Sequence, residues 1–171
     1  GVEASLTGHL VFSTLHTNSA PESITRLLDM GMDPFNFADA LLGVLAQRLA
    51  KRLCGKCKQA YTPAPEEVDH LIDSYGRDQF NELGIDLKSL QLNRATGCDA
   101  CGGTGYKGRT GIHELLVGTH ELRSLIYSKA DLDCLRRQAL KDGMRTLKQD
   151  GILKIFTGYS DYKQLLRVVA E

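Results

Sequence analysis

Two cysteine pairs of identical spacing, Cys54-Gly55-Lys56-Cys57 and Cys98-Asp99-Ala100-Cys101, constrain this chain more than any other feature. A Cys-x-x-Cys turn aims two thiolates at one point about 2.3 Å from each sulfur, and a second such turn completes a closed tetrahedral zinc site. Cys54, Cys57, Cys98 and Cys101 are therefore predicted to hold one structural Zn2+ between them. Thiol redox chemistry is the competing use of such a turn. Two matched turns in a chain without secretory features favour metal. Cys134, in Leu132-Asp133-Cys134-Leu135, stands apart from the pairs and reads as a helix-packing residue.

With 171 residues, 42% of them hydrophobic, the chain can bury one moderate core or two small ones. Lysine plus arginine balances aspartate plus glutamate at 21 each, so no global field draws nucleic acid or any other charged partner. No apolar run approaches the roughly 18 residues of a membrane span, and Gly1-Val2-Glu3-Ala4-Ser5 lacks the charged and apolar regions of a signal peptide. A cytosolic protein is the simplest expectation.

Along the chain, Glu3 to Gly8 reads as a helix end running into a strand, as if the sequence began inside a domain. His9-Leu10-Val11-Phe12-Ser13-Thr14-Leu15 is nearly continuous in apolar and β-branched residues, the pattern of a strand covered on both faces. A helix is predicted from the Asn18-Ser19 cap, through Pro21, to the stop at Gly31. A second is predicted from the Asp33 cap toward Leu53, on the four-residue spacing of Phe37, Leu41, Leu45 and Leu49. Between the knuckles, Glu66 to Tyr75 reads as a short helix in an otherwise loose insertion. A glycine-rich turn, 102–111, then leads into a strand or helix over 112–116. Three helices are expected over 131–141, 145–156 and 161–169, forming a small bundle whose core includes Leu132, Leu135, Leu140, Ile152, Ile155, Leu165 and Leu166.

Thr7 to Asn18 combines the apolar run with polar residues at its C-terminal end. In α/β sheets that end faces the ligand. Thr14 and His16 could there set a hydroxyl and an imidazole beside a phosphate, although a histidine at a strand end is often a hydrogen-bonded structural residue. This stretch resembles the histidine box of the bacterial secretion ATPases that drive type II secretion and type IV pilus assembly. The resemblance continues through Ala46-Gln47-Arg48-Leu49 with Arg52-Leu53-Cys54, Gly105-Tyr106-Lys107-Gly108-Arg109-Thr110-Gly111-Ile112 with Glu114-Leu115-Leu116, and Gly143-Met144-Arg145-Thr146-Leu147 with Asp150-Gly151.

The resemblance implies an α/β fragment of a RecA-like P-loop NTPase core (1–53), a tetracysteine zinc-binding subdomain with its insertion (54–111) and a helical C-terminal subdomain (112–171), mostly helical overall. It implies a homo-hexameric ATPase at the cytoplasmic side of the bacterial inner membrane, partnered by a membrane platform protein, peripherally associated with the membrane, and binding no specific nucleic acid. His16 would contact or sense the γ-phosphate, with Thr14 and His9 supporting the strand end. Arg48 would offer its guanidinium to phosphate or to an interface carboxylate, against the reading of an exposed helix arginine. The phosphate loop G-x-x-x-x-G-K-[ST] is absent from these 171 residues. ATP and Mg2+ therefore belong to the parent protein, and this stretch alone is expected to be inactive. The alternative is a zinc-ribbon-like module that binds protein or nucleic acid without catalysis. The cations Arg48, Lys51, Arg52, Lys56, Lys58, Lys107 and Arg109 flank the knuckles, either offsetting thiolate charge or offering a basic platform.

Overall fold

The computed structural model describes residues 1–169, which form a mixed α/β protein. Its contacts divide into two compact units that interleave along the chain. One is built from 1–46 and 114–146, the other from 47–113 and 147 onward.

The first unit contains α1 (Val2–Leu6), α2 (Ala20–Asp29), α3 (Pro34–Ala40), α6 (His120–Tyr127) and α7 (Leu132–Lys141). Helix α2 starts as expected, with the Ser19 hydroxyl accepting from the Glu22 amide, and buries Ala20 and Ile24 one turn apart. Asp33 caps α3 by accepting from the Asn36 amide at 2.9 Å. That helix ends at Ala40 rather than running on to Leu53, because β1 (Gly43–Leu53) takes over. Leu41, Leu45 and Leu49 satisfy a four-residue period, but in β1 the burial alternates: Ala46 and Ala50 turn inward while Leu45 and Leu49 stay exposed. Pairing with β4 (Tyr106–Val117) overrides helix propensity here. Gly43 permits that approach, since a Cβ on it would lie 2.8 Å from the Leu116 carbonyl oxygen. Helix α6 is an addition to the sequence reading. Its signals are nevertheless ordinary ones, Thr119 accepting from the Leu122 amide and Leu122 and Ile126 both fully buried.

The second unit carries α4 (Pro65–Tyr75), α5 (Arg77–Asn81), α8 (Leu147–Phe156), α9 (Tyr162–Val168) and the antiparallel pair β2 (Gln59–Tyr61) and β3 (Leu92–Arg94), in the register Ala60 opposite Asn93. Helix α4 arrives as predicted. Tyr75, Phe80 and Phe156 form an aromatic chain with centroid spacings of 5.7 and 5.3 Å. The Gln149 side chain, buried in α8, donates to the Tyr75 carbonyl at 2.8 Å and ties α8 to the end of α4.

Two further expectations are corrected. The run 9–15 is not a strand. It has no secondary structure, and Leu10 and Phe12 are 68% and 88% exposed, because a strand apolar on both faces needs paired neighbours to satisfy its backbone and none flanks it among the described residues. The tail helices do not form a bundle of their own. α7 packs on α2 and α6, whereas α8 packs on α4 and α9. Leu166, expected in the core, is 54% exposed, while Leu135 is fully buried. Urea unfolding should therefore show that Leu135→Ala costs about 2–5 kcal/mol, whereas Leu166→Ala stays within about 0.5 kcal/mol.

Candidate metal centre

Strand β1 ends by delivering Cys54, whose amide donates to the Gly105 carbonyl at 2.9 Å. The chain then turns sharply, with the Cys57 and Lys58 amides both donating to the Cys54 carbonyl at 3.2 and 2.9 Å. The second knuckle is a 3₁₀ turn over Asp99–Cys101, in which the Cys101 amide donates to the Cys98 carbonyl at 3.1 Å. Each turn points its two sulfurs to the same side.

All four Sγ atoms lie within 4.8 Å of one another. Cys54 to Cys98 is 4.0 Å, Cys57 to Cys101 is 3.8 Å and Cys98 to Cys101 is 3.8 Å. A tetrahedron with metal–sulfur bonds of about 2.3 Å has edges of about 3.8 Å, so the sulfurs sit where zinc ligands would. None of these distances suits a disulfide. Two backbone amides already point at one of them: those of Cys98 and Gly105 each donate to Cys101 Sγ at 3.2 Å. Such donors are the outer support that stabilises metal-bound thiolates.

The same contacts sort the protons. Burial pushes the Cys101 thiol up, but the Cys98 and Gly105 amides outweigh it and bring it down to about 6. Burial and the neighbouring Cys57 and Cys101 sulfurs push Cys98 up to about 11. Burial likewise raises Cys57, yet the Thr96 hydroxyl, the Gly97 amide and the Cys98 thiol reverse it and leave it lowered.

Residues that the sequence reading passed over hold the knuckles together. The Thr96 hydroxyl donates to the Cys57 carbonyl, linking the two turns. Gly97 has φ +108° and faces the Gly103 carbonyl so closely that a Cβ would come within 2.5 Å of its oxygen. The glycines were visible in the sequence, but not which approach each one served. The cations near the knuckles do not all face the sulfurs. Lys58 Nζ donates to the Gly158 carbonyl at 2.9 Å, and the Arg52 guanidinium lies 5.2 Å from the centre of the Tyr159 ring.

Of the remaining candidates, His9, Thr14 and His16 belong to the first unit and Arg48 to the second. Thr14 and His16 are exposed on the irregular stretch that precedes α2. His9 is exposed too, its Nδ1 lying 3.2 Å from the Ala4 carbonyl oxygen and 3.4 Å from the Thr7 hydroxyl. Arg48 is a half-buried strand residue on β1, not a helix residue, and its Nη1 donates to the Gln47 carbonyl at 3.1 Å.

Comparison with known proteins covers nearly the whole chain. The family described as "Type II/IV secretion system protein" matches residues 1–167. The chain belongs to this family. Among its relatives, the type II secretion system ATPase E of Vibrio cholerae is 44% identical over 99% of this chain and 31% of its own length. The type IV pilus assembly ATPase PilB of Thermus thermophilus is 43% identical over 96% of this chain and 17% of its own length. The type IV pilus assembly ATPase TfpB of Acinetobacter baylyi is 44% identical over 98% of this chain and 27% of its own length. This secretion-family chain thus spans less than a third of the length of these relatives. No helix among its described residues is long and apolar enough to cross a membrane.

The proton count gives the tetracysteine cluster a pH signature. Metal-free Cys98, at about 11, keeps its proton at neutral pH, so metal uptake must expel it. Apparent zinc affinity should therefore fall at least about tenfold per unit of acidification. Chelator competition at pH 7 and pH 6 measures this, and an affinity indifferent to pH would rule out ligation through the Cys98 thiolate.

Proposed function

We infer that this chain serves as the C-terminal region of a cytosolic, hexameric ATPase that powers type II secretion or type IV pilus assembly. The observation that carries the reading is family membership running from residue 1 to residue 167, with relatives at 43–44% identity that are named as ATPases of both systems. The P-loop is assigned to the parent protein, which leaves the 171-residue chain without turnover of its own.

In that parent, 1–53 completes a RecA-like motor core, 54–111 is the zinc subdomain and 112–171 the helical end. The run 9–15 takes up strand structure when the rest of the core sheet flanks it, which would cover the exposed Leu10 and Phe12. His16 donates a hydrogen bond toward the γ-phosphate, Thr14 supplies a hydroxyl beside it, and His9 steadies the start of the strand. Arg48 offers its fork to phosphate or to a carboxylate across a subunit boundary.

Zinc bound to Cys54, Cys57, Cys98 and Cys101 has a structural role. The sulfur spacing and the amides aimed at Cys101 support it, and a site closed by four thiolates leaves no open position for substrate. The working partner is an inner-membrane platform protein, met at the cytoplasmic face, with no specific nucleic acid involved. The balanced charge of the chain fits that reading.

Elemental analysis should find about one zinc per chain, and Cys57→Ser should release it and speed hydrogen exchange across residues 54–110. A chain free of zinc in reducing buffer would remove the structural metal. In the full-length protein, His16→Ala should lower the ATPase kcat about a hundredfold or more. Undiminished turnover would overturn the γ-phosphate role, and tight DNA binding at physiological salt in place of turnover would favour the non-catalytic module.

A further inference from the structure

Glu114 is a carboxylate that neither the metal centre nor the nucleotide reading uses. It is 4% exposed, on the inward face of β4 between Ile112 and Leu116, which are 1% and 0% exposed. A charge so buried is costly unless strongly hydrogen-bonded. Its Oε1 accepts from the amide of Ala20 at 2.7 Å, across 94 residues of sequence.

Ala20 is the first residue of α2, and the donors of that first turn are disposed of one by one. The Ala20 amide goes to Glu114, Pro21 has no donor, and the Glu22 amide goes to the Ser19 hydroxyl. Glu114 is thus the partner that ties the start of α2 to β4. Its negative charge also matches the positive end of the α2 dipole.

The residues just before α2 are in turn fastened to its first turn. The Asn18 amide donates to Glu22 Oε2 at 3.0 Å. The Thr17 hydroxyl is 2.6 Å from that of Ser23 and donates to the Ser19 carbonyl at 3.2 Å. His16 is the next residue. A set of short contacts therefore leads from β4 through Glu114 to the first turn of α2 and on to Thr17, the chain neighbour of His16. All of it lies within the unit formed by 1–46 and 114–146.

The geometry points to Glu114 as the positioning residue of the histidine segment: its buried carboxylate holds the first amide of α2 and so sets where Thr14 and His16 stand. The role rests on the reading of His16 as the γ-phosphate contact, whereas the anchor itself does not. The strand pattern carried the signal, since a glutamate falls at the inward position between two buried aliphatic residues.

The test compares Glu114→Ala with Glu114→Gln, which keeps an acceptor oxygen. In the 171-residue chain, Glu114→Ala should speed exchange of the Ala20 amide on the order of ten- to a hundredfold and shift the His16 ring resonances. The Leu122 and Leu135 amides should keep their protection, and Glu114→Gln should restore most of it at Ala20. Unchanged Ala20 exchange in the alanine variant overturns the anchor. Equal loss at Leu122 and Leu135 in both variants makes Glu114 a general core residue and overturns it as well. In the full-length protein, Glu114→Ala should lower kcat with little change in KM, and Glu114→Gln should recover most of the loss. Full kcat alongside a lost Ala20 anchor overturns the positioning role. If His16→Ala itself keeps full kcat, the nucleotide reading fails while the anchor stands on its exchange result.

Discussion

The second unit depends on the convergence of four sulfurs. Cys54 and Cys98 stand 44 residues apart in sequence and their sulfurs 4.0 Å apart in space. Around them the backbone has little freedom left. The Cys54 amide is bound to the Gly105 carbonyl, the Cys101 sulfur receives two amides, and Thr96 links the first knuckle to the second. These contacts fix both turns before any metal is considered. Ligation would then add folding free energy to a geometry already close to tetrahedral.

Outside the knuckles, the chain obtains its order from helix starts and from a few buried polar bonds between distant elements. Ser19, Asp33, Thr119, Asp131 and Asp161 each cap a helix with a side-chain oxygen. Gln149 and Glu114 do a different job. Both are buried, and each reaches the backbone of an element far away in sequence, Gln149 the carbonyl of Tyr75 and Glu114 the amide of Ala20. A buried polar group bonded to a distant backbone favours the arrangement in which those elements meet, because breaking that bond in a low-dielectric interior is costly.

What was legible followed from local chemistry. The caps of α2 and α3, the short helix of the insertion and the three tail helices can all be read from residues within one turn of one another. The cysteine spacing announces its own geometry in the same way. Three features were not legible, for distinct reasons. The leucines at 41, 45 and 49 fit a helix as well as a strand, and only the partner strand selects between them. The run 9–15 has the composition of a buried strand, but composition cannot supply the neighbours that would pair it. The tail helices share an apolar period, yet α7 and α8 pack in different units, and periodicity says which face is buried without saying against what.

By itself, then, the sequence determined the paired spacing of Cys54, Cys57, Cys98 and Cys101, most of the helix starts, and membership of the secretion family through motifs strung in order along the chain. These properties belong to residues that are neighbours in sequence, or to spacings that one turn of backbone can realise. Only the tertiary structure decided that β1 would be a strand, that Arg48 would ride on it, and that Glu114 would reach Ala20 across 94 residues. Those outcomes depend on which distant backbone group is left without a partner once the local elements have formed. That depends on the whole fold, so no window along the sequence can show it.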